Sequence, residues 1–179
     1  ATQLGLNIWL AMAVSHMFAL AVGYFNGWMV VNTRLPSFIV TLASFFILRG
    51  ANVGVTRLVT QRVLVSNIDQ VAGFMQARSF FDLEFNLLGT QFRTSTLWWI
   101  VIALIAAWIL QRTRYGNWIF AVGGDANAAR NMGVPADRVK IALFMITSAA
   151  AWLVGMMSIV RLRSAVASEG IGQEFVYII

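Results

Sequence analysis

Four long apolar runs separated by polar stretches set the pattern of this chain. Residues 94–111 and 141–160 contain no charged side chain, and residues 1–33 contain no Asp, Glu, Lys or Arg and one histidine, His16. A helix needs about 20 apolar residues to cross a bilayer. Lipid offers the backbone no hydrogen-bond partners, and the runs do not alternate between apolar and polar positions. The pattern therefore predicts transmembrane helices and not a β-barrel.

Helix-ending and helix-starting residues give approximate boundaries for the first two spans. We expect the first at about residues 4–22, ended by the run 23–27 with its glycines and asparagine. The second begins near Leu35 or Pro36, because proline suits the first turn of a helix, and reaches about Thr56. The two uncharged runs form the third and fourth spans.

Composition supports the same class, since 59% of the 179 residues are hydrophobic and 11% are charged, against about a quarter in soluble domains. The predicted fold class is all-α, a polytopic transmembrane helical bundle of four spans, with the start of another at 175–179. Because the chain begins and ends in apolar sequence, we expect a fragment of a larger protein. The net charge of +6 does not indicate nucleic acid, since the basic residues are spread along the chain. Without cysteine, a disulfide framework and a thiolate metal site are excluded.

The polar connections predict the orientation. Residues 112–140 hold five basic side chains and the longer stretch 57–93 holds four, so the first is predicted to be a cytoplasmic loop and the second an extracytoplasmic loop. Alternation then places residues 26–34 on the cytoplasmic side, although Arg161 and Arg163 on the outer side oppose this bias. Within 57–93 we expect at most one amphipathic helix, around residues 67–77.

Polar side chains line one face of the second span. The spacing of Thr41, Phe45, Arg49, Asn52 and Thr56 by four, four, three and four places them together on a helix. Arginine at mid-depth costs at least ~2.5 kcal/mol, so it must face protein or water. The four polar members, Arg49 included, are the candidate residues lining a solute path. The alternative is a helix that breaks early and leaves Arg49 near the outer interface.

Other intramembrane features predict packing. The pairs Gly50/Gly54 and Ala151/Gly155 have the spacing that lets neighbouring helices approach closely. With no carboxylate near it, His16 is a poor candidate for a metal or general-base site, so no metal site and no catalytic residue are predicted. We expect His16 to be a helix-packing residue.

Within residues 112–140, local chemistry predicts a short helix at 125–132. The glycine pair before Asp125 breaks the chain, and Asp125 can accept hydrogen bonds as the N-cap while its charge suits the positive helix end. Gly133 can end the helix, and Asp137 can cap the helix that follows. The predicted smooth side, which a groove on another protein would accept, consists of Ala126, Ala128 and Ala129. From local chemistry alone, a capped connector without a partner is the simpler interpretation.

These motifs resemble those of the membrane subunits of bacterial ATP-binding-cassette importers. Residues 128–133 fit the family's Ala-Ala-x-x-x-Gly core, and RTRYGNWIFAVGGDANAARNMGV is similar to a segment of the ribose, xylose and arabinose class of sugar permeases. Further similarities, in the same order and spacing, are Asn26-Gly27, the run PSFIVTL from Pro36, Arg49-Gly50 and a Gly-x-Gly-x-Glu stretch at Gly170, Gly172 and Glu174.

The resemblance implies a multi-pass permease subunit of the bacterial plasma (inner) membrane, with residues 1–179 forming part of a single transmembrane permease domain. Its implied partners are a second permease copy, cytoplasmic ABC ATPase subunits, an extracytoplasmic sugar-binding protein and membrane lipid, with neither nucleic acid nor a cofactor. In that family the short cytoplasmic helix fits a cleft on the ATPase. Here this coupling role falls on Gly124, Asp125, Asn127, Ala128, Ala129, Arg130 and Gly133. The chain departs from the pattern at Asn127, where the superfamily often has glutamate, and at Asp125, where this class commonly has asparagine.

Several alternative functions remain open. The related branched-chain amino-acid permeases have a similar loop, and the substrate face does not distinguish them. A secondary transporter would need ionisable groups in its spans, of which Arg49 is the only one well placed. For an intramembrane enzyme, the sequence offers no catalytic constellation. The chain also lacks a Gly-rich loop ending in Gly-Lys-Ser/Thr, so ATP hydrolysis is expected of a partner subunit.

Overall fold

The structure, a computed structural model, describes residues 7–61, 64–65, 68–82, 84–87 and 90–166. In these residues the helices are α1 (Ile8–Thr33), α2 (Ser37–Thr60), α3 (Phe74–Phe81), α4 (Thr94–Arg112), α5 (Arg114–Gly124), α6 (Ala126–Asn131) and α7 (Ala136–Leu162). A 3₁₀ turn spans Ile68–Gln70, and the strands are β1 (Leu64–Val65), β2 (Glu84–Leu87), β3 (Thr90–Arg93) and β4 (Ala165–Val166). The Gly-x-Gly-x-Glu stretch, the apolar run 175–179 and the start of the first predicted span at residue 4 lie outside the described residues.

Four of the helices, α1, α2, α4 and α7, are long and apolar enough to cross a membrane. Their mean hydropathy is 1.7 to 2.0 over an 18-residue window. The predicted transmembrane helical bundle of four spans is therefore confirmed. The third span begins and ends within one residue of its prediction, whereas the fourth, α7, begins five residues earlier than expected.

The prediction that the first span stops at residues 23–27 is wrong, because α1 continues to Thr33. Gly23 and Gly27 are used for close helix packing and not for a helix end. A Cβ added to Gly23 would lie 2.8 Å from Met145 Cα, and one added to Gly27 would lie 2.8 Å from Ile141 Cα. The two glycines form the Gly-x-x-x-Gly spacing through which α1 packs on α7.

On another side, α1 contacts α2 through Asn26. The Ser44 hydroxyl donates a hydrogen bond to Asn26 Oδ1, and Asn26 is almost fully buried. Arg34, in the left-handed conformation, ends α1, and α2 starts directly after Pro36. The predicted start of the second span is confirmed, and α1 is the helix between α2 and α7.

Arg49 is the thirteenth of the 24 residues of α2. The alternative of an early helix break is therefore wrong, and Arg49 lies halfway along a continuous span. Within the described residues, nothing lies within 4 Å of a Cβ added to Gly50, Gly54 or Gly155. The two small-residue pairs named from the sequence are not used for packing in this part of the chain, whereas Gly23 and Gly27 are.

The connection between α2 and α4 packs against the end of the α1–α7 pair that contains Ile8 and Val160. Its helix, α3, lies at Phe74–Phe81, shifted toward the C-terminus from the predicted 67–77. Phe74, Ala77 and Phe81 are buried there. They pack with Ile8, Met12, Ile68, Met157 and Val160 in one cluster.

Two short antiparallel strand pairs, which the sequence did not predict, complete this end. β1 pairs with β4, joining the α2–α4 connection to the residues after α7. β2 pairs with β3 as a hairpin in which Glu84 faces Arg93, and the two side chains form an ion pair at 3.0 Å.

Polar side chains also contact across the α1–α7 interface. The rings of His16 and Trp152 are edge to face with centroids 4.5 Å apart, and Trp152 Nε1 donates to Ser15 Oγ at 2.8 Å. His16 is therefore a helix-packing residue, as predicted. Within the described residues its buried Nδ1 has no hydrogen-bond partner.

Candidate functional site

The candidate site begins at a sharp junction between the third span and the polar segment. Thr113 ends α4 and also caps α5, because its hydroxyl accepts a hydrogen bond from the Gly116 N–H at 3.2 Å. A Cβ on Gly116 would collide with the carbonyl oxygens of Ile109 and Leu110. Glycine is thus required for α5 to fold back closely against the end of α4.

Asp125 fixes the start of α6 as predicted. Its Oδ1 accepts hydrogen bonds from Asn127 N at 2.7 Å and Ala128 N at 3.1 Å. Both bonds lower the pKa of Asp125 from its ordinary value, and the bond from Ala128 has the larger effect. The carboxylate is therefore the species that holds the first turn of α6.

Gly133 ends α6, also as predicted. It has φ +82°, a conformation that glycine adopts without penalty. Gly133 N donates to Arg130 O at 2.9 Å, and Val134 N donates to Ala129 O at 3.0 Å. This pair of bonds is a Schellman motif, so both ends of the six-residue helix are satisfied by hydrogen bonds.

The helix is held against the protein by Ala129. This residue is 5% exposed and packs with Val122 of α5 and with Ala136 and Val139 of α7. The predicted smooth side of three alanines is therefore wrong for Ala129, which faces its own chain, and Ala126 packs against the same cluster. Ala128 is exposed, and Ala126 is half-buried.

The prediction that Asp137 caps α7 is also wrong. Pro135 occupies the N-cap position and makes no side-chain cap bond. Asp137 instead forms an ion pair with Arg130, which also donates to Asn127 Oδ1 at 3.1 Å. Arg130 therefore connects the first turn of α6 with the first turn of α7, and all three side chains are at least partly exposed.

The outward surface of α6, the exposed α6 face, consists of Asn127, Ala128, Asn131 and Met132. Met132 is 84% exposed, the highest value among the large apolar residues described here. Sequence reasoning missed Asn131 and Met132. Their signal was present, since Asn131 and Met132 follow Asn127 and Ala128 by four residues each, a spacing that places two residues on one helical face.

Gly124 is the remaining predicted coupling residue, and the candidate path residues lie on α2. Gly124 is exposed at the end of α5. On α2, Arg49 and Asn52 are exposed and Thr41 and Thr56 half-buried. The Thr41 hydroxyl donates to Ser37 O at 2.9 Å. The structure thus keeps these four on one helical face that the described residues leave mostly uncovered.

Two cavities mark the two ends of the bundle. The larger, about 990 Å³, is lined by the end of α1, the start of α2, α6 and the first turns of α7. The smaller, about 170 Å³, contains Asp82 and Arg161. Because Asp137 and Arg161 are 24 residues apart on α7, the two ends are ~36 Å apart at 1.5 Å per residue. The α1–α2 turn therefore lies at the same end as α6, as alternation predicts. Which end is cytoplasmic stays a prediction.

Comparison with known proteins places this arrangement in a family. All of residues 1–179 match the family described as "Branched-chain amino acid transport system / permease component". The chain belongs to this family. The predicted membership in the permeases is thereby confirmed.

Several similar proteins are named as sugar permeases. This permease component is 32% identical over 170 residues to the ribose import permease protein RbsC of Escherichia coli K12, covering 94% of the chain and 50% of RbsC. It is 27% identical over 215 residues to the xylose transport system permease protein XylH of the same strain, covering 93% and 55%. It is 28% identical over 148 residues to the fructose import permease protein FrcC of Rhizobium meliloti, covering 83% and 40%.

The chain spans about half the length of these relatives. No solved structure matches it. A further relative, 27% identical over 175 residues, is the inner membrane ABC transporter permease protein YjfF of Escherichia coli K12. With four spanning helices, this permease component is a multi-pass protein of the plasma (inner) membrane.

Proposed function

We propose that this chain is part of the membrane-spanning subunit of an ATP-driven importer, that it forms part of the path for a small sugar, and that α6 couples it to a cytoplasmic ATPase. The observation that carries the proposal is the way α6 is capped and anchored. A helix of only six residues would not be stable alone, yet it is capped at both ends and anchored by Ala129. Such a helix transmits displacement instead of absorbing it.

The exposed α6 face supplies the contact chemistry. Met132 offers an apolar side chain at the tip, and Ala128 allows a groove to approach the backbone. A few well-packed side chains near the centre of an interface carry most of its binding free energy, and Met132 would be such a side chain if it entered a pocket on the partner. Arg130 and Asp137 connect α6 to α7, so a push on this face reaches a helix that spans the membrane. ATP hydrolysis belongs to the partner subunit in this proposal.

The test is co-purification of the ATPase with the tagged full-length subunit. We expect Ala128→Glu and Met132→Glu each to reduce the bound ATPase by about tenfold or more, equivalent to ~1.4 kcal/mol. Ala121→Glu places the same charge on an exposed position of α5 and is the matched control. Ala129 is unsuitable for this test, because a charge there would disturb folding.

The thermal unfolding midpoint of each variant, measured without the ATPase, shows whether the subunit remains folded. Equal ATPase recovery with wild type, Ala128→Glu and Met132→Glu would reject α6 as the docking element. Loss of ATPase with all three variants, including Ala121→Glu, would reject the assignment to this face.

A second candidate substrate class is branched-chain amino acids, which the description of the family favours. The similar proteins named above favour sugars instead. Uptake by the assembled full-length transporter distinguishes the two. Accumulation of radiolabelled ribose, xylose or fructose supports the sugar proposal, and accumulation of leucine alone contradicts it.

A further inference from the structure

The larger cavity carries a property that neither the family nor the coupling role assigns. It measures about 990 Å³, at the upper end of the roughly 300–1,000 Å³ typical of ligand pockets. Its charged lining residues are Arg34, Arg130, Lys140 and Asp137. Three cations therefore face a single carboxylate.

The cations are not equally neutralised. Among the described residues, Arg130 pairs with Asp137, whereas Arg34 and Lys140 have no carboxylate partner. The start of α2 at Ser37 lies in the same wall, so the positive end of that helix adds to the same sign. The cavity therefore favours an anion over a cation or a neutral ligand.

Three apolar residues of the wall belong to membrane-spanning helices. Val30 and Val31 come from the last turns of α1, and Phe144 comes from α7. Leu35, which also lines the cavity, is 45% exposed, and Phe38, on the first turn of α2, is 69% exposed. A ligand that fits this wall has an anionic head and an apolar body that continues into the bilayer.

We propose that this cavity binds the headgroup of an anionic phospholipid, with its phosphate at Arg34 and Lys140 and its glycerol and acyl chains along the apolar wall. Basic pockets between transmembrane helices bind acidic headgroups by this chemistry. Because α6 contributes Ala126, Asn127 and Arg130 to the wall, the lipid contacts the helix that carries the proposed coupling face.

The experiment is native mass spectrometry of the full-length subunit titrated with phosphatidylglycerol and, in parallel, with phosphatidylcholine. We expect bound phosphatidylglycerol to exceed phosphatidylcholine in the wild type. Arg34→Gln and Lys140→Gln should each weaken phosphatidylglycerol binding about fivefold, the effect of losing one basic side chain near an acidic headgroup. Arg138→Gln is the matched control, because Arg138 is exposed on the same turn of α7 and does not line the cavity.

Ser37→Asp provides an independent variant. It adds a carboxylate to the cavity wall, and its position at the start of α2 is one where a negative charge stabilises a helix. We expect it to weaken phosphatidylglycerol binding while leaving the thermal unfolding midpoint unchanged.

Three results would overturn the proposal. Equal weakening in Arg138→Gln would mean general attraction to the membrane surface. Tight binding of radiolabelled inorganic phosphate, lost in Arg34→Gln and Lys140→Gln and without preference for phosphatidylglycerol, would mean a soluble phosphate site. Loss of ATPase co-purification in these two variants with unchanged lipid binding would assign the cavity to the protein interface.

Discussion

Asp125 is the residue whose chemistry decides whether α6 exists, since its carboxylate accepts two main-chain N–H groups that nothing else in the described chain satisfies. The backbone bonds lower its pKa below the ordinary value of 3.8. A group with a lowered folded-state pKa stabilises the fold above its unfolded-state pKa, and that stabilisation is lost as the pH falls through the folded-state pKa.

We therefore expect the protection of the Asn127 and Ala128 amides against hydrogen exchange, after correction for intrinsic rates, to be constant above about pH 4 and to fall below it. Asp125→Asn keeps a capping oxygen that does not titrate, so its profile should be flat over the same range. Asp125→Ala should show weak protection at every pH. Parallel profiles for wild type and Asp125→Asn would show that another group controls the helix.

At the scale of elements, the α1–α7 pair depends on two glycines. Valine at Gly27 would place its Cβ 2.8 Å from Ile141 Cα, a backbone atom that can move only if the helices separate. We expect Gly27→Val to cost about 1–3 kcal/mol, as overpacking does. Gly155→Val is the control, since it changes helix propensity equally at a position with open space in the described chain.

The measurement is thermal unfolding of the full-length subunit in detergent. A clearly lower midpoint for Gly27→Val than for Gly155→Val is the expected result. Equal midpoints would mean that α1 and α7 are not in close contact at this point.

The same elements explain which parts of the fold could be predicted from the sequence. The length of an apolar run predicts that a membrane span exists, and both ends of α4 were predicted to within one residue. Glycine and asparagine occur both at helix ends and at helix contacts. Only the partner helices show that these residues belong to contacts: α7, more than 100 residues later, for Gly23, and α2 for Asn26. Ala129 could not be assigned a direction because two turns of helix are too short for a clear period. Asp137 was assigned from position alone, whereas the approach of Arg130 determines its partner.

At the scale of the whole molecule, burial is uneven among the spans. In the most apolar window of each helix, 17% of α1 and 11% of α7 is buried, but only 6% of α2 and none of α4. The α1–α7 pair is therefore the centre of the described bundle. Hydropathy alone could not show this, since all four spans are similarly apolar. The open faces of α2 and α4 are free to contact lipid, further protein or a solute path.

Arg49 excludes lipid contact for one face of α2. Its charge is halfway along the span, where contact with lipid would cost at least ~2.5 kcal/mol. The face it shares with Asn52 therefore contacts water or polar protein groups in the assembled transporter. We propose, from this cost, that the face lines the solute path.

Residues 1–179 contain no cysteine, so within them a single introduced cysteine reports on one position. Cysteines elsewhere in the assembled transporter are replaced by serine for this experiment. We expect Asn52→Cys and Thr41→Cys in the assembled transporter to react with a membrane-impermeant thiol reagent and to be protected by saturating substrate. Ile47→Cys is the matched control. Ile47 precedes Arg49 by two residues, so it lies about 200° around the helix from Arg49, and its apolar side chain is 70% exposed. Reactive Ile47→Cys with unreactive Asn52→Cys would place the aqueous path on the opposite side of α2. Uniform protection would mean that Arg49 is buried against another helix, where its charge must have a carboxylate or carbonyl partner.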